Sequence, residues 1–135
     1  MNMNQFITIL LGSTFMSTLM TTLISALIIE PFREKKKYKF DEKKRVYDSI
    51  IIFCQIYLYP EEARYSLGVA RYDIRILSTE DMKIYALHDL KMSIPKVKMI
   101  TENRKITKCI EEFICYKNED KFEALVSCFQ KDLYR

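Results

Sequence analysis

Glycine, proline, histidine and tryptophan are scarce in this chain of 135 residues: two, three, one and none. With Gly12 and Gly68 as its glycines it has no Gly-rich loop of the kind that cradles phosphates or dinucleotides. Any hydrolytic triad would have to be built on His88, and no serine or cysteine stands in a recognisable nucleophile context. The four cysteines, Cys54, Cys109, Cys115 and Cys128, form no CxxC pair, and one histidine does not complete the well-spaced ligand set of a zinc site. They read as small buried hydrophobes in a reducing compartment, so neither a metal nor a cofactor is expected. Few prolines and glycines also leave no room for a flexible linker.

Against these absences stands one long apolar run. Phe6 to Ile29 is twenty-four residues without a charge, closed by Glu30 and Pro31. As a helix it spans roughly 36 Å, more than the roughly 30 Å of a bilayer's hydrocarbon core, and it is expected to cross a membrane. Within it Ser13-Thr14, Ser17-Thr18, Thr21-Thr22 and Ser25-Ala26 recur every fourth residue, with bulky apolar pairs between them. That period winds a band of small, mostly hydroxylated side chains along one side. In lipid such a band lets helices approach closely and bond across the contact, which points to a homo-oligomer, in its sharpest form around a polar lumen lined by Ser13, Ser17, Thr21 and Ser25. The competing reading is a solitary anchor whose Ser and Thr hydroxyls bond carbonyls of the preceding turn.

The formal charge of +4 is unevenly spread. Residues 31–45 hold Arg33, Lys35, Lys36, Lys37, Lys39, Lys43, Lys44 and Arg45 against three acids, whereas from Val46 onward fourteen basic and fourteen acidic residues balance. Positive charge beside a span stays cytoplasmic, so the expected topology is N-terminus outside and C-terminal domain inside, in a single-pass inner-membrane protein. A cleaved signal peptide would want basic residues before a shorter run and small residues at a cleavage site. Arg33, Lys35, Lys36, Lys37 and Lys39 could also meet anionic headgroups. A neutral domain does not favour nucleic acid.

The expected fold is all-α: a transmembrane helix over 1–30, a basic juxtamembrane segment over 31–45 and a compact antiparallel helical bundle over 46–135. Pro31 suits a kink or the first turn of a new helix. The spacing of Tyr47, Ile50, Ile51, Cys54, Tyr57 and Leu58 predicts a helix from about Lys35 to Tyr59. Pro60-Glu61-Glu62 opens another, which Ala63, Leu67, Ala70, Ile74 and Leu77 carry to about Leu77, although Ala70 to Ile76 also alternates as a strand would. Ser78-Thr79-Glu80-Asp81 caps a helix to about Ser93, with Pro95 beyond its end. A further helix is expected over 96–116 with the stripe Ile106, Cys109, Ile110, Phe113 and Ile114. A last one, capped by Asn118, has Phe122, Leu125, Val126, Phe129 and Leu133 on its core face.

Two clusters remain. Lys83 and His88 resemble a lysine version of the Arg-x4-6-His motif of helical nucleotide-binding bundles with RNase activity, but Lys lacks the bidentate fork of Arg, and five residues place the pair poorly on one helix face. Arg71 and Arg75, one helical turn apart, could hold a phosphate or an acidic partner, or pair with Glu80 and Asp81. Arg64 is weighed with them.

The stretches Ala70 to Asp81, Ala86 to Leu90 and Phe129 to Leu133 resemble a loose group of small bacterial single-pass membrane proteins with a helical cytoplasmic domain. In organisation the chain is similar to the membrane accessory that accompanies RNA-guided RNA nucleases in CRISPR defence. That resemblance implies an oligomeric pore that depolarises the inner membrane during phage infection. The expected function is accordingly an oligomeric membrane effector or accessory with a cytoplasmic protein partner. The alternatives are a non-conducting adaptor that tethers a cytoplasmic partner, and a membrane-bound RNase using His88.

Overall fold

The computed structural model describes residues 2–66 and 74–134, and among them every regular element is helical. The chain divides into two units, Met1–Lys39 and Phe40–Arg135.

In the first unit α1 (Met3–Ile24) holds most of the apolar run and buries none of its residues. It passes into a π-helical turn, Ser25–Ile29, and then into α2 (Glu30–Leu58). Pro31 is the second residue of α2. A proline lacks the N–H that would bond four residues back, and its ring crowds that carbonyl. The wide π turn just ahead of it, in which the Glu30 N–H bonds the Ser25 carbonyl, absorbs the mismatch. Pro31 therefore does not separate two helices by a loop, and α2 begins at Glu30 rather than near Lys35. This helical stretch is long and apolar enough to cross a membrane.

The second unit is built around the later part of α2. Tyr47, Ile50 and Cys54 enter a core with Leu90, Val97, Ile106, Ile110, Phe113, Leu125 and Phe129. Ile56, which the three-four spacing did not select, is buried in a second cluster with Ala63, Ile74, Met82 and Ala86. α2 is thus covered on two sides, which the unbroken Ile50-Ile51-Ile52-Phe53 allows. The Tyr47 and Phe129 rings stack at 4.2 Å with an interplanar angle of 5°.

After α2 come α3 (Pro60–Tyr65), a 3₁₀ turn (Ile74–Ile76), α4 (Thr79–Ile100), α5 (Arg104–Tyr116) and α6 (Glu119–Leu133). Three expectations are corrected here. The helix opened by Pro60 ends at Tyr65, and Ser66 is extended; Leu67, Ala70 and Arg71 lie outside the described residues. The carbonyls of Arg75 and Leu77 accept from the Arg64 guanidinium in place of helical N–H groups.

α4 does not stop at Ser93 but runs through Pro95 to Ile100. Pro95 is exposed, so the carbonyl it leaves without a helical partner can meet solvent, while Val97 beyond it is fully buried. An interior proline costs about 3 kcal/mol and a buried aliphatic side chain returns about 1.5–3 kcal/mol. α5 in turn starts at Arg104 instead of Lys96, after an extended Thr101 and with Asn103 accepting from the Lys105 N–H at 3.1 Å.

Other expectations hold as read. Ser78 accepts from the Asp81 N–H at 3.2 Å and Asn118 from the Lys121 N–H at 2.9 Å. α4, α5 and α6 follow one another through connections of only a few residues and pack as neighbours. The turn between α5 and α6 places Lys117 at φ 53° and ψ 44°, a left-handed position that favours glycine. Lys117→Gly is expected to stabilise the fold by about 1 kcal/mol, the steric cost it removes. In thermal unfolding of the full-length protein in detergent this should raise the midpoint by roughly 4–8 °C; an unchanged or lower midpoint would show that the lysine side chain compensates.

Candidate functional site

The hydroxyl band lies on α1, its last serine opening the π turn. There Thr14, Thr18, Thr21 and Thr22 each donate to the carbonyl four residues back, at 2.8–2.9 Å, as does Thr8. Those threonines follow the solitary-anchor pattern, in which the hydroxyl finds its partner in its own helix. The hydroxyls of Ser13, Ser17 and Ser25 make no hydrogen bond among the described residues, so three of the four residues assigned to a lumen retain bonding capacity. Arg33, Lys35, Lys36, Lys37 and Lys39 are all exposed on α2, with the Lys36 ammonium 5.7 Å from the Phe32 ring centroid.

The densest polar cluster in the second unit was not among the expected sites. The Asp132 carboxylate on α6, only 6% exposed, accepts from Tyr47 Oη at 2.6 Å and Asn103 Nδ2 at 3.3 Å, and pairs with Lys43 Nζ at 3.3 Å. Thr101 Oγ1 approaches it at 3.4 Å and accepts the Asn103 N–H at 3.2 Å. Burial alone would push the Asp132 carboxyl up, but the bonds from Tyr47, Asn103 and Lys43 outweigh it and hold the group below its ordinary value. Burial, then the bond to Asp132, pushes the Tyr47 phenol up, so it stays a neutral donor.

Every partner comes from this chain: α2, the 101–103 connection and α6 meet there, and the cluster closes the bundle instead of opening a site. A signal for it did exist in sequence. Leu125, Phe129 and Asp132 follow a four-three spacing, which sets a carboxylate on the core face of α6.

Lys83 and His88 are not brought together. At 100° per residue they stand about 140° apart around α4, and the Lys83 ammonium lies 5.8 Å from the Tyr57 ring centroid. His88 is exposed beside a cleft of about 390 Å³ whose lining is otherwise mostly apolar, with Asp89 as the neighbouring carboxyl and neither serine nor cysteine. Burial pushes the Asp89 carboxyl up against the opposing pull of His88 and Lys96. Of the three arginines, Arg64 is taken up internally: besides the carbonyls of Arg75 and Leu77 it meets Glu61 at 3.6 Å. Arg75 is exposed on the 3₁₀ turn, and Arg71, the other half of the expected phosphate-holding pair, lies outside the described residues.

The cysteines divide. Cys54 is buried, and its thiol is pushed up by that burial. Cys109 is pushed up to about 12 by burial and by a hydrogen bond with Cys128, which makes it a weak nucleophile at neutral pH. Cys115, expected among the buried hydrophobes, is exposed on α5 instead.

No family model, curated protein or solved structure matches this chain.

Because Asp132 is held below its ordinary value, its contribution is complete above the unfolded carboxylate range near pH 4 and is lost as pH falls through the lower folded value. The full-length protein in detergent should thus lose thermal stability between about pH 5 and pH 2, and Asp132→Asn should flatten part of that loss. Asp132→Ala should cost about 2–3 kcal/mol at pH 7, since Tyr47 and Lys43 lose a charged acceptor. Unfolding midpoints across this pH range check both, and an Asp132→Ala protein as stable as its parent would refute the role assigned to the cluster.

Proposed function

We propose that this chain is a single-pass membrane protein that carries a non-enzymatic helical docking domain on the cytoplasmic side and assembles with copies of itself through the α1 band. The observation that carries the reading is the lack of cover on α1: Phe6, Leu10, Leu11, Phe15, Met16, Leu19, Leu23 and their apolar neighbours are all exposed within the chain. A continuous apolar surface of that length is far larger than a water-soluble monomer tolerates, and lipid satisfies it while the helix satisfies its own backbone. The basic residues of the first turns of α2, facing no equal charge before α1, supply the orientation.

A second reading, a conducting assembly, is favoured by one observation. The Ser13, Ser17 and Ser25 hydroxyls have no partner among the described residues, and water in a lumen would provide one. Ser17→Leu with Thr21→Leu should abolish ion flux in a conducting assembly and leave partner tethering intact in an adaptor.

The exposed Cys115 provides the test of topology. A membrane-impermeant maleimide should label it in inside-out vesicles and leave it unlabelled in intact spheroplasts, with the protein retained in the membrane pellet at alkaline pH. Labelling in intact spheroplasts would reverse the orientation, and release into the alkaline supernatant would sink the membrane reading altogether. Light scattering on the detergent-solubilised protein should return a defined multiple of the protomer mass; a monomer would leave a solitary tether.

A further inference from the structure

α4 carries a second surface that the core does not use. Tyr85, Asp89, Met92, Lys96 and Met99 follow a four-three-four-three spacing, which is a heptad stripe along roughly 21 Å of helix. The stripe is uncovered: Tyr85 is 51%, Met92 73% and Met99 86% exposed, and Asp89 and Lys96 are exposed as well. Neither Asp89 nor Lys96 has an ion-pair partner among the described residues. Asp89, Met92, Lys96 and Met99 line one wall of a groove of about 800 Å³, and Val46, Ile50 and Phe53, with Glu42 and Arg45, line the α2 side; Tyr85 lies beyond the groove.

The pattern is symmetric about Met92 for its apolar ends and offset by one residue for its charges. Tyr85 lies seven residues before it and Met99 seven after, while Asp89 lies three before and Lys96 four after. A second α4 laid alongside in the same direction would set Asp89 against Asp89 and Lys96 against Lys96. Laid antiparallel about a two-fold axis through Met92, it sets Tyr85 against Met99 and Met92 against Met92, and brings Asp89 of each copy within one residue, about 1.5 Å along the axis, of Lys96 of the other, an offset the long lysine side chain spans. Like charges disfavour the first arrangement and opposite charges favour the second. A stripe whose charges match its own reverse is what an isologous two-fold interface requires.

We propose that the Tyr85–Met99 stripe of α4 is a self-association surface that takes the same stripe of a second copy, antiparallel, with Asp89 of one copy paired to Lys96 of the other. This contact lies in the second unit and is separate from assembly through α1, so the two can fail independently.

The test is oxidative cross-linking of the full-length protein in native membranes, in a Cys115→Ser background that removes the exposed native thiol. Met92→Cys stands on the two-fold axis and should form a dimer, whereas Lys91→Cys, about 100° away around the helix, should not. Asp89→Lys and Lys96→Asp should each lower the Met92→Cys dimer yield roughly tenfold at low salt, because two symmetry-related pairs turn from attractive to repulsive. Combining the two reversals should restore the yield. No dimer from Met92→Cys, equal yields from Met92→Cys and Lys91→Cys, or a double reversal as poor as the singles would each overturn the proposal. Helix content by circular dichroism accompanies each variant, and the substitutions fall on exposed positions. Ser17→Leu with Thr21→Leu separates the two surfaces: it should change the mass in detergent and leave the Met92→Cys cross-link in place.

Discussion

The later half of α2 is apolar on too many sides to be covered by one neighbour, and this requirement sets the arrangement of the second unit. Tyr47, Ile50 and Cys54 need one cover, which α5 and α6 provide with Ile106, Ile110, Phe113, Leu125 and Phe129. Ile56 needs another, provided by α3, the 3₁₀ turn and the start of α4 through Ala63, Ile74, Met82 and Ala86. α4 is long enough to serve both, with Met82 and Ala86 in one cluster and Leu90 and Val97 in the other. A helix truncated at Ser93 would leave Val97 and Ile100 without a place in that cover. The burial gained beyond Pro95 is the reason α4 continues past a residue that elsewhere ends helices.

The Asp132 cluster seals one end of this packing. The Tyr47–Phe129 stack brings α2 and α6 together through apolar area, but a phenol buried there must find an acceptor, and Asp132 on the same face of α6 is that acceptor. The carboxylate then needs donors of its own, which Lys43 and Asn103 supply. Asn103 thus has two duties. Its side-chain oxygen caps α5 and its amide nitrogen reaches Asp132, so the break between α4 and α5 is fixed in the same place by capping and by the buried charge.

How much of this was legible in sequence follows from the range of each interaction. Caps act over three residues, so Ser78 and Asn118 could be read directly. The apolar stripes of α5 and α6 repeat over several turns, and Ile106, Ile110, Phe113, Leu125 and Phe129 were recognisable as core. The helix through Pro95 and the Thr101–Asn103 break are not legible locally, because a proline is a stop signal only until tertiary burial outweighs it. The end of α3 at Tyr65 is hidden from periodicity, because Arg64, thirteen residues from Leu77, supplies donors that spacing does not show. The contact between Tyr47 and Asp132 spans eighty-five residues, and only the odd placement of a carboxylate on a core face hinted at it.

The two units present apolar surface of different kinds, and the difference bears on how such a chain can act. The surface of α1 is continuous and lacks charge, which suits lipid or close-packed helices. The stripe on α4 is short and interrupted by Asp89 and Lys96, which suits a protein surface with matching charges. By itself a stripe with three exposed apolar side chains has little area to offset the translational and rotational freedom lost on association. Confinement by an anchor removes part of that cost in advance, since two copies held in one bilayer already share a plane and a facing. A contact too weak to persist between free domains becomes sufficient between anchored ones. On the proposed reading the span would supply location and concentration, and the charged stripe register and direction.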